Sequence, residues 1–338
     1  MNPQRLRIGV LGAGSISDYH IGGLQAAGAE VVALFSRTEA KARVQADRYG
    51  IATVFTDYRA LLARDDVDAV IIATPDFTHE EIAVATAAAG KPMLLQKPMA
   101  RTGTECRRII AATQAAGVPL YVGFMHRYFG EIEALQRLLV AGTLGRLTMV
   151  QQRNATRGAN WADWFYRKDL VGGGAVMQIG IHGIDLLRHV FGEIVAVKAT
   201  TAITVPQRTL TDGRVVVPDN EDLALATYRF ASGLLAAHAV SYSEVAGTDR
   251  FRMEVYGEQG TAWLRTERGL LAVGYGGGNW TSPALPPGNV GYRQHCHWLA
   301  MLRGEAPHDG SDAAGLASVQ VAEAIYRSAA ADAWEPVA

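Results

Sequence analysis

Leu6-Arg7-Ile8-Gly9-Val10-Leu11-Gly12-Ala13-Gly14-Ser15-Ile16-Ser17 decides the fold. Its first half is an apolar run of buried-strand character, and Ile16 to Ala27 reads as a helix, so both glycines fall on a strand-to-helix turn. Gly12 permits the tight turn, and Gly14 lets a pyrophosphate approach the backbone. Ser17 replaces the third glycine of the usual fingerprint with a residue still small enough for close helix–strand packing. Unpaired N–H groups and roughly half a positive charge at the helix start then hold phosphates. This reading places a dinucleotide on the turn.

Outward from the turn, strands alternate with helices. Val31–Phe35, Asp68–Ala73, Met93–Leu95 and Leu120–Gly123 are short and apolar. Between them, Glu39–Tyr49, Glu80–Ala89 and Gly103–Ala116 have helical character. Near-continuous apolar strands alternating with helices mean a parallel sheet covered on both faces. Past Phe124 the pattern changes. A helix at Ile132–Val140 and a strand at Leu147–Arg153 precede a loop rich in Trp, Arg and Gly, then a helix at His182–Val190. Longer strands follow at Ile194–Ile203, Leu223–Phe230, Leu234–Tyr242, Phe251–Tyr256 and Thr261–Leu264, with closing helices at Tyr292–Arg303 and Ala313–Ala330. Close turns such as Ala231-Ser232-Gly233 suit hairpins. The predicted fold class is α/β: a Rossmann doubly wound parallel sheet over 1–123, then an α+β domain over 124–338 with a large, mostly antiparallel open sheet. The apolar series Val195, Val197 and Ala199 gives that sheet one face to cover helices or to pair with another subunit.

Size and charge exclude other classes. A chain of 338 residues exceeds what one core usually serves. Its formal net charge of −1 gives no electrostatic case for nucleic acid or an anionic membrane. No apolar run approaches the ~20 residues that span a bilayer. The start, Met1 to Arg7, runs straight into a strand without a signal-peptide core. Two cysteines, Cys106 and Cys296, are too few for a disulfide framework or a cysteine metal site, so a cytoplasmic, reduced setting is expected.

Several residues carry chemistry. Ser36-Arg37-Thr38 follows the second strand, where an acid would recognise a ribose hydroxyl; a hydroxyl and a guanidinium suit a 2′-phosphate and favour NADP over NAD. Lys97 follows an apolar strand and precedes Pro98, which holds it extended. At a strand's carboxyl end a lysine can donate to a substrate oxygen. His182 and Asp185, three apart at a helix start, share a face, and a carboxylate-oriented histidine is a proton acceptor near neutral pH. Gly172-Gly173-Gly174 would let the chain bend closely around a ligand. His182 and His189 lie two turns apart, and His295-Cys296-His297 diverge around a helix, so no metal site is expected. The loop from Arg153 to Trp164, with Arg157 and Trp164, offers aromatic faces and donors that suit sugars. Arg127-Tyr128 is a second candidate pair.

GAGSIS at 12–17, DAVIIATPDFTH at 68–79, the segment Gly90–Pro98 and GGGAVMQIGIHGIDLL at 172–187 together resemble the Gfo/Idh/MocA oxidoreductases. The resemblance spans nearly the whole chain. It implies NAD(P)-dependent oxidation or reduction of sugars, cyclitols or their derivatives, with Lys97 as the catalytic lysine and His182 and Asp185 in a second active-site motif. By the same resemblance, cofactor contacts fall on Gly12, Gly14, Ser15, Ile16, Ser36, Arg37, Thr74, Pro75, His79 and Gln96. Arg127, Arg157, Trp164, Gln178, His182 and Tyr292 are expected at the substrate. A homo-oligomer, dimer or tetramer, is expected. Two positions depart from the family pattern: Gln96 stands where a Glu is usual, and Gln178 where an acid often precedes the histidine. The base is then His182 oriented by Asp185, or Lys97. A redox-neutral glycosidase or epimerase retaining its NAD(P), and a non-catalytic NADP(H) sensor, are the alternative readings.

Overall fold

The computed structural model describes residues 5–244, 250–266, 269–276 and 278–337. The reading of the extreme start, Met1 to Gln4, lies outside the described residues. The chain forms two compact units. One runs to Tyr128 and takes in Gly288–Leu316; the other comprises Phe129–Pro287 and the chain from Ala317 onward. The expected division after residue 123 is corrected accordingly, because 288–316 returns to the first unit. The reason is packing: Trp298, Leu299 and Met301 enter the same core as Ile8, Val10 and Leu24.

In the first unit the order is β1 (Arg7–Leu11), α1 (Ser15–Ala26), β2 (Glu30–Phe35), α2 (Glu39–Tyr49), β3 (Thr53–Phe55), α3 (Tyr58–Leu62), β4 (Ala69–Ile72), α4 (His79–Ala88), β5 (Met93–Leu95), α5 (Gly103–Ala116) and β6 (Leu120–Val122). The sheet order is β3-β2-β1-β4-β5-β6, with every pair parallel. Ile8, Val10 and Leu11 on β1 and Val70, Ile71 and Ile72 on β4 are all 0% exposed. Burying each such side chain contributes about 1.5–3 kcal/mol, and doing so on both faces requires the helical layers. Strand order reverses between β1 and β4, which opens a crevice beyond their carboxyl ends. Gly12 follows β1 there, and Ala73 follows β4.

The second unit holds α6 (Gly130–Val140), β7 (Leu147–Ala155), α7 (Ile181–Phe191), β8 (Ile194–Ala202), the small pair β9 (Arg208–Thr209) and β10 (Val215–Val216), then β11 (Leu223–Phe230), β12 (Leu235–Ser241), β13 (Arg252–Gly257), β14 (Gly260–Thr266), β15 (Gly269–Tyr275) and β16 (Trp280–Thr281). After these come α8 (Val290–Leu302), which belongs to the first unit, α9 (Ser311–Ala331), which begins in the first unit and continues in the second from Ala317, and β17 (Glu335–Pro336). Nine strands form one open sheet in the order β16-β15-β14-β13-β7-β12-β11-β8-β17. Only β7 and β12 pair parallel in it. The inner face carries Val150, Gln152 and Asn154 from β7, Ala224, Ala226 and Tyr228 from β11, and Ala236, His238 and Val240 from β12, all buried.

The apolar series on β8 is only partly one-faced. Val197 and Ala199 are buried, but Val195 is 41% exposed, because a register shift opposite Arg229 and Phe230 turns it out. The Ala199 N–H donates to Ser328 Oγ on α9, so helix cover explains the buried part. Among the described residues no helix is long and apolar enough to cross a membrane.

Candidate active site

The first group of candidate residues sits at the carboxyl end of the parallel sheet. Gly12 has φ +127°, and a Cβ there would stand 2.4 Å from the Ala73 carbonyl oxygen. Only glycine lets β1 turn this close to the end of β4. At Gly14 an added Cβ meets nothing within 4 Å. Gly14 is also the N-cap of α1 and brings no side-chain cap to the helix; the Ser17 N–H donates to its carbonyl at 3.1 Å. Gly14 and Ser15 are exposed and Ile16 is half-buried. Ser17 is fully buried, and its Oγ donates to the Gly14 carbonyl at 2.5 Å, which draws the turn onto the helix. This cradle fits a pyrophosphate.

Beside it, β2 ends in Ser36, half-buried, and Arg37, exposed. Ser36 Oγ accepts from the Thr38 N–H at 3.3 Å. Thr74 and Pro75 follow β4, and Thr78 Oγ1 donates to the Pro75 carbonyl and lies 2.8 Å from Thr74 Oγ1. His79 is fully buried, with Nδ1 2.9 Å from the Pro98 carbonyl and Nε2 2.9 Å from the Thr74 carbonyl. Both carbonyls can only accept, and a neutral ring donates to one of them. Its ring lies against the turn that follows β4, beside Thr74. Lys97, half-buried, follows β5 through a single buried residue, Gln96. Gln96 Oε1 accepts the Lys97 backbone N–H at 3.2 Å.

The second group belongs to the other unit. The triple glycine was expected to admit a ligand, and the structure corrects that. A Cβ on Gly173 would fall 1.8 Å from the Tyr326 hydroxyl, and one on Gly174 1.8 Å from the Glu221 carbonyl oxygen. These glycines make room for protein. The Glu221 carboxylate accepts from the N–H groups of Gly174 and Val176 and from the Tyr326 hydroxyl, each at 2.9 Å. Burial pushes its carboxyl above the usual range, although these donors pull the other way.

From this anchored start the chain makes a five-residue π turn, Val176–Gly180, before α7. The wider turn carries Gln178 and changes its phase relative to His182, and such turns recur at functional positions. Gln178, His182 and Asp185 are all buried. Nothing in the sequence periodicity marked the π turn.

Beneath α7 lies a polar layer that sequence reasoning missed. Tyr228 Oη is 2.9 Å from His238 Nδ1, and His238 Nε2 is 2.9 Å from Asn154 Oδ1. Gln152 Nε2 also donates to Asn154 Oδ1 at 2.9 Å. The Asn154 oxygen can only accept, so His238 donates from Nε2 and accepts the Tyr228 proton at Nδ1. Burial pulls His238 down to about 3. A Cβ on Gly183 would stand 2.2 Å from Asn154 Oδ1 and 2.7 Å from His238 Nε2. Gly183 therefore lets the helix bearing His182 and Asp185 settle on this layer. The available signal was polar residues at inward positions of alternating strands.

The remaining candidates lie on separate elements. Arg127 is buried with its guanidinium 5.2 Å from the Phe124 ring centre, and Tyr128 Oη lies 2.9 Å from His297 Nδ1. Tyr292 opens α8 and is 42% exposed. Arg157 is exposed, and Trp164 stacks on Phe165 with ring centres 3.7 Å apart. Among the described residues no group of three or more His, Cys, Asp or Glu side chains could hold a metal ion.

Comparisons place these features among known proteins. Residues 6–124 match the oxidoreductase family model with an NAD-binding Rossmann fold, and residues 132–263 match the GFO/IDH/MocA C-terminal domain. Inositol 2-dehydrogenase 2 of Saccharopolyspora erythraea is 31% identical over 98% of this chain and 95% of its own length. Levoglucosan dehydrogenase of Pseudarthrobacter phenanthrenivorans is 27% identical over 86% of this chain and 85% of its own. A solved levoglucosan dehydrogenase in complex with NADH and L-sorbose superposes with a TM-score of 0.88 at 25% identity, covering 99% of both chains.

Proposed function

The chain belongs to the GFO/IDH/MocA family of NAD-binding oxidoreductases, and from that premise we propose that it is a dehydrogenase of a sugar, cyclitol or sugar derivative. The observation that carries the reading is the placement of Lys97 just past β5, on the sheet whose switch point presents the open Gly14 turn. A bound nicotinamide dinucleotide supplies the hydride acceptor. Gly12, Gly14, Ser15 and the start of α1 hold its pyrophosphate, with Ile16, Thr74, Pro75 and Gln96 beside it. Ser36 and Arg37 take a 2′-phosphate and so favour NADP over NAD; Glu39, the nearest acid in that segment, pairs with Arg43 at 3.3 Å.

Oxidation removes a hydride from the carbinol carbon and a proton from its oxygen. Lys97 steadies charge developing on that oxygen, and His182, oriented by Asp185, takes the proton. Arg127, Arg157, Trp164, Gln178 and Tyr292 orient hydroxyls. The test is nicotinamide absorbance with NAD⁺ and NADP⁺ against aldoses, anhydrosugars and cyclitols. Turnover by the wild type, reduced by roughly 10²–10⁴-fold in Lys97→Ala with cofactor still bound, is expected. Near-wild-type rates in Lys97→Ala would remove the lysine's role. Silence across the panel despite cofactor binding would favour a redox-neutral enzyme or a sensor. A preference for NAD⁺ of about tenfold or more (roughly 1.4 kcal/mol) would overturn the Arg37 assignment.

The outward face of the nine-stranded sheet exposes Met149, Leu225 and Leu235. We propose that it pairs copies of the chain as a dimer or tetramer. Light scattering that finds a monomer at working concentration would sink this.

A further inference from the structure

A buried chain of hydrogen bonds runs behind Lys97, entirely within the first unit. The Lys97 N–H donates to Gln96 Oε1 at 3.2 Å, and Gln96 Nε2 contacts His20 Nε2. His20 Nδ1 lies 2.9 Å from His295 Nε2, and His295 Nδ1 lies 2.6 Å from the Gly291 carbonyl oxygen. His20 and His295 are 0% exposed and Gln96 is 4% exposed.

The ends fix the direction of every bond. A backbone N–H can only donate and a backbone carbonyl can only accept. His295 must therefore donate from Nδ1 and, while neutral, accept at Nε2. His20 then donates from Nδ1 and accepts at Nε2, and that acceptor needs the amide hydrogen of Gln96. The reverse polarity would set the bare Nδ1 of His295 against the Gly291 carbonyl and an amide NH₂ against the Lys97 N–H. With both rings neutral, donors and acceptors match along the whole chain. An extra proton on either imidazole would bring two N–H groups face to face. Burial, together with each ring's proximity to the other, also lowers the proton affinity of His20.

The surroundings are built for this contact. A Cβ on Gly23 of α1 would stand 2.3 Å from His295 Nδ1 and 3.0 Å from the Gly291 carbonyl oxygen. One on Gly123 would stand 3.2 Å from Gln96 Nε2. A mid-helix glycine costs about 1 kcal/mol relative to alanine, and Gly23 is explained by the approach of α8 to α1. The titratable groups facing the pair are the two imidazoles themselves and Tyr19, whose ring lies 5.1 Å from that of His20 and 5.6 Å from that of His295. Tyr19 donates to Gln294 Oε1 at 2.6 Å and so stands outside the chain. Lys97 itself is the next charged group along it.

We propose that Gln96, His20 and His295 are positioning residues for Lys97, and that the chain requires at position 96 a side chain that accepts from Lys97 while donating to His20. The inference rests on the reading of Lys97 as a catalytic residue. It assigns the glutamine a role that a carboxylate cannot fill. Glutamate would offer acceptors to both neighbours and leave His20 Nε2 without a donor. The chain would then close only by taking up one more proton, held on the carboxyl itself or, with His20 as its Nε2–H tautomer, on His295.

Two measurements on the full chain test this. Nitrogen-15 histidine spectra of the wild type should show both rings as neutral Nδ1–H tautomers through about pH 6 to 8, below and above the ordinary histidine range. An imidazolium or an Nε2–H tautomer at either ring would overturn the proposal. In Gln96→Glu, turnover should fall by roughly 10²-fold, as expected of a displaced catalytic group. The ratio of variant to wild-type turnover should also decline as pH rises, because the variant's chain is complete only while it holds the extra proton. A ratio that stays flat with pH, or a variant as active as the wild type, would overturn it. The spectra do not depend on substrate or on Lys97. If Lys97→Ala keeps its activity while the tautomers are as expected, the catalytic reading has failed and the chain stands as a structural feature only.

Discussion

At Gly14 a side-chain carbon added to the backbone meets nothing within 4 Å, whereas at Gly174 it lands 1.8 Å from the Glu221 carbonyl oxygen. Both lie in glycine-rich turns that lead into a helix. The first turn leaves its helix start without a side-chain cap. The second has its N–H groups already taken by Glu221, itself held by Tyr326. Glycine records that something must come close. What comes close depends on residues distant in sequence: Glu221 and Tyr326 lie far downstream of Gly174.

The largest effect should come from treating the two turns alike. Gly174→Ala forces a methyl into a backbone carbonyl, which cannot move as a side-chain tip can. We expect a loss of about 3 kcal/mol or more, the upper range for overpacking, seen as a lower denaturant midpoint. Gly14→Ala should change stability by no more than about 1 kcal/mol, since its φ of −95° suits alanine and only a cap preference is lost. Its cost should appear instead in cofactor affinity, by about tenfold or more, equal to roughly 1.4 kcal/mol. Equal stability losses in the two variants would erase the distinction, as would full cofactor affinity in Gly14→Ala.

The same contrast explains what could be read in advance. The strand β1 and its turn were legible because an apolar run leads straight into Gly-x-Gly, and β4 and β5 because their apolar runs alternate with helices. β3 is three residues long, too short for a periodicity to declare itself, and it was missed with the short α3 that follows. Lys97, His182 and Asp185 stood out by type and spacing. His20 did not, although it shares the buried face of α1 with Ser17, Ile21 and Leu24. A polar residue on an apolar stripe signals a partner, but that partner, His295, is 275 positions away. His238 was hidden in the same manner, alternating with Ala236 and Val240 on the inner face of β12. The return of α8 to the first unit was invisible for a related reason. Its packing face has ordinary helical periodicity, and only tertiary contact shows which core receives it.

Within a single pH unit, a smaller effect separates the protein-filled region by its titration. His238 is held near 3 by burial, well below the ordinary 6.5 that it regains on unfolding. As pH falls from about 6.5 toward 3, the unfolded chain takes up a proton there and the folded chain does not. His238 thus contributes stability that is present above 6.5 and lost on acidification, by about 1.4 kcal/mol per pH unit within that window. His20 and His295 act in the same direction, His295 being lowered to about 4. Glu221 acts in the opposite sense, since a carboxyl raised on folding favours the native state below its ordinary range and loses that contribution as pH rises. Denaturant midpoints of the wild type should therefore fall on acidification below about 6.5, and His238→Gln should shallow that slope by one proton's worth. The glutamine would keep a donor toward Asn154 without offering a group to titrate. An unchanged slope would mean that His238 already takes its proton in the native state. The Tyr228–His238–Asn154 layer would then not be the neutral, filled floor on which Gly183 lets α7 rest.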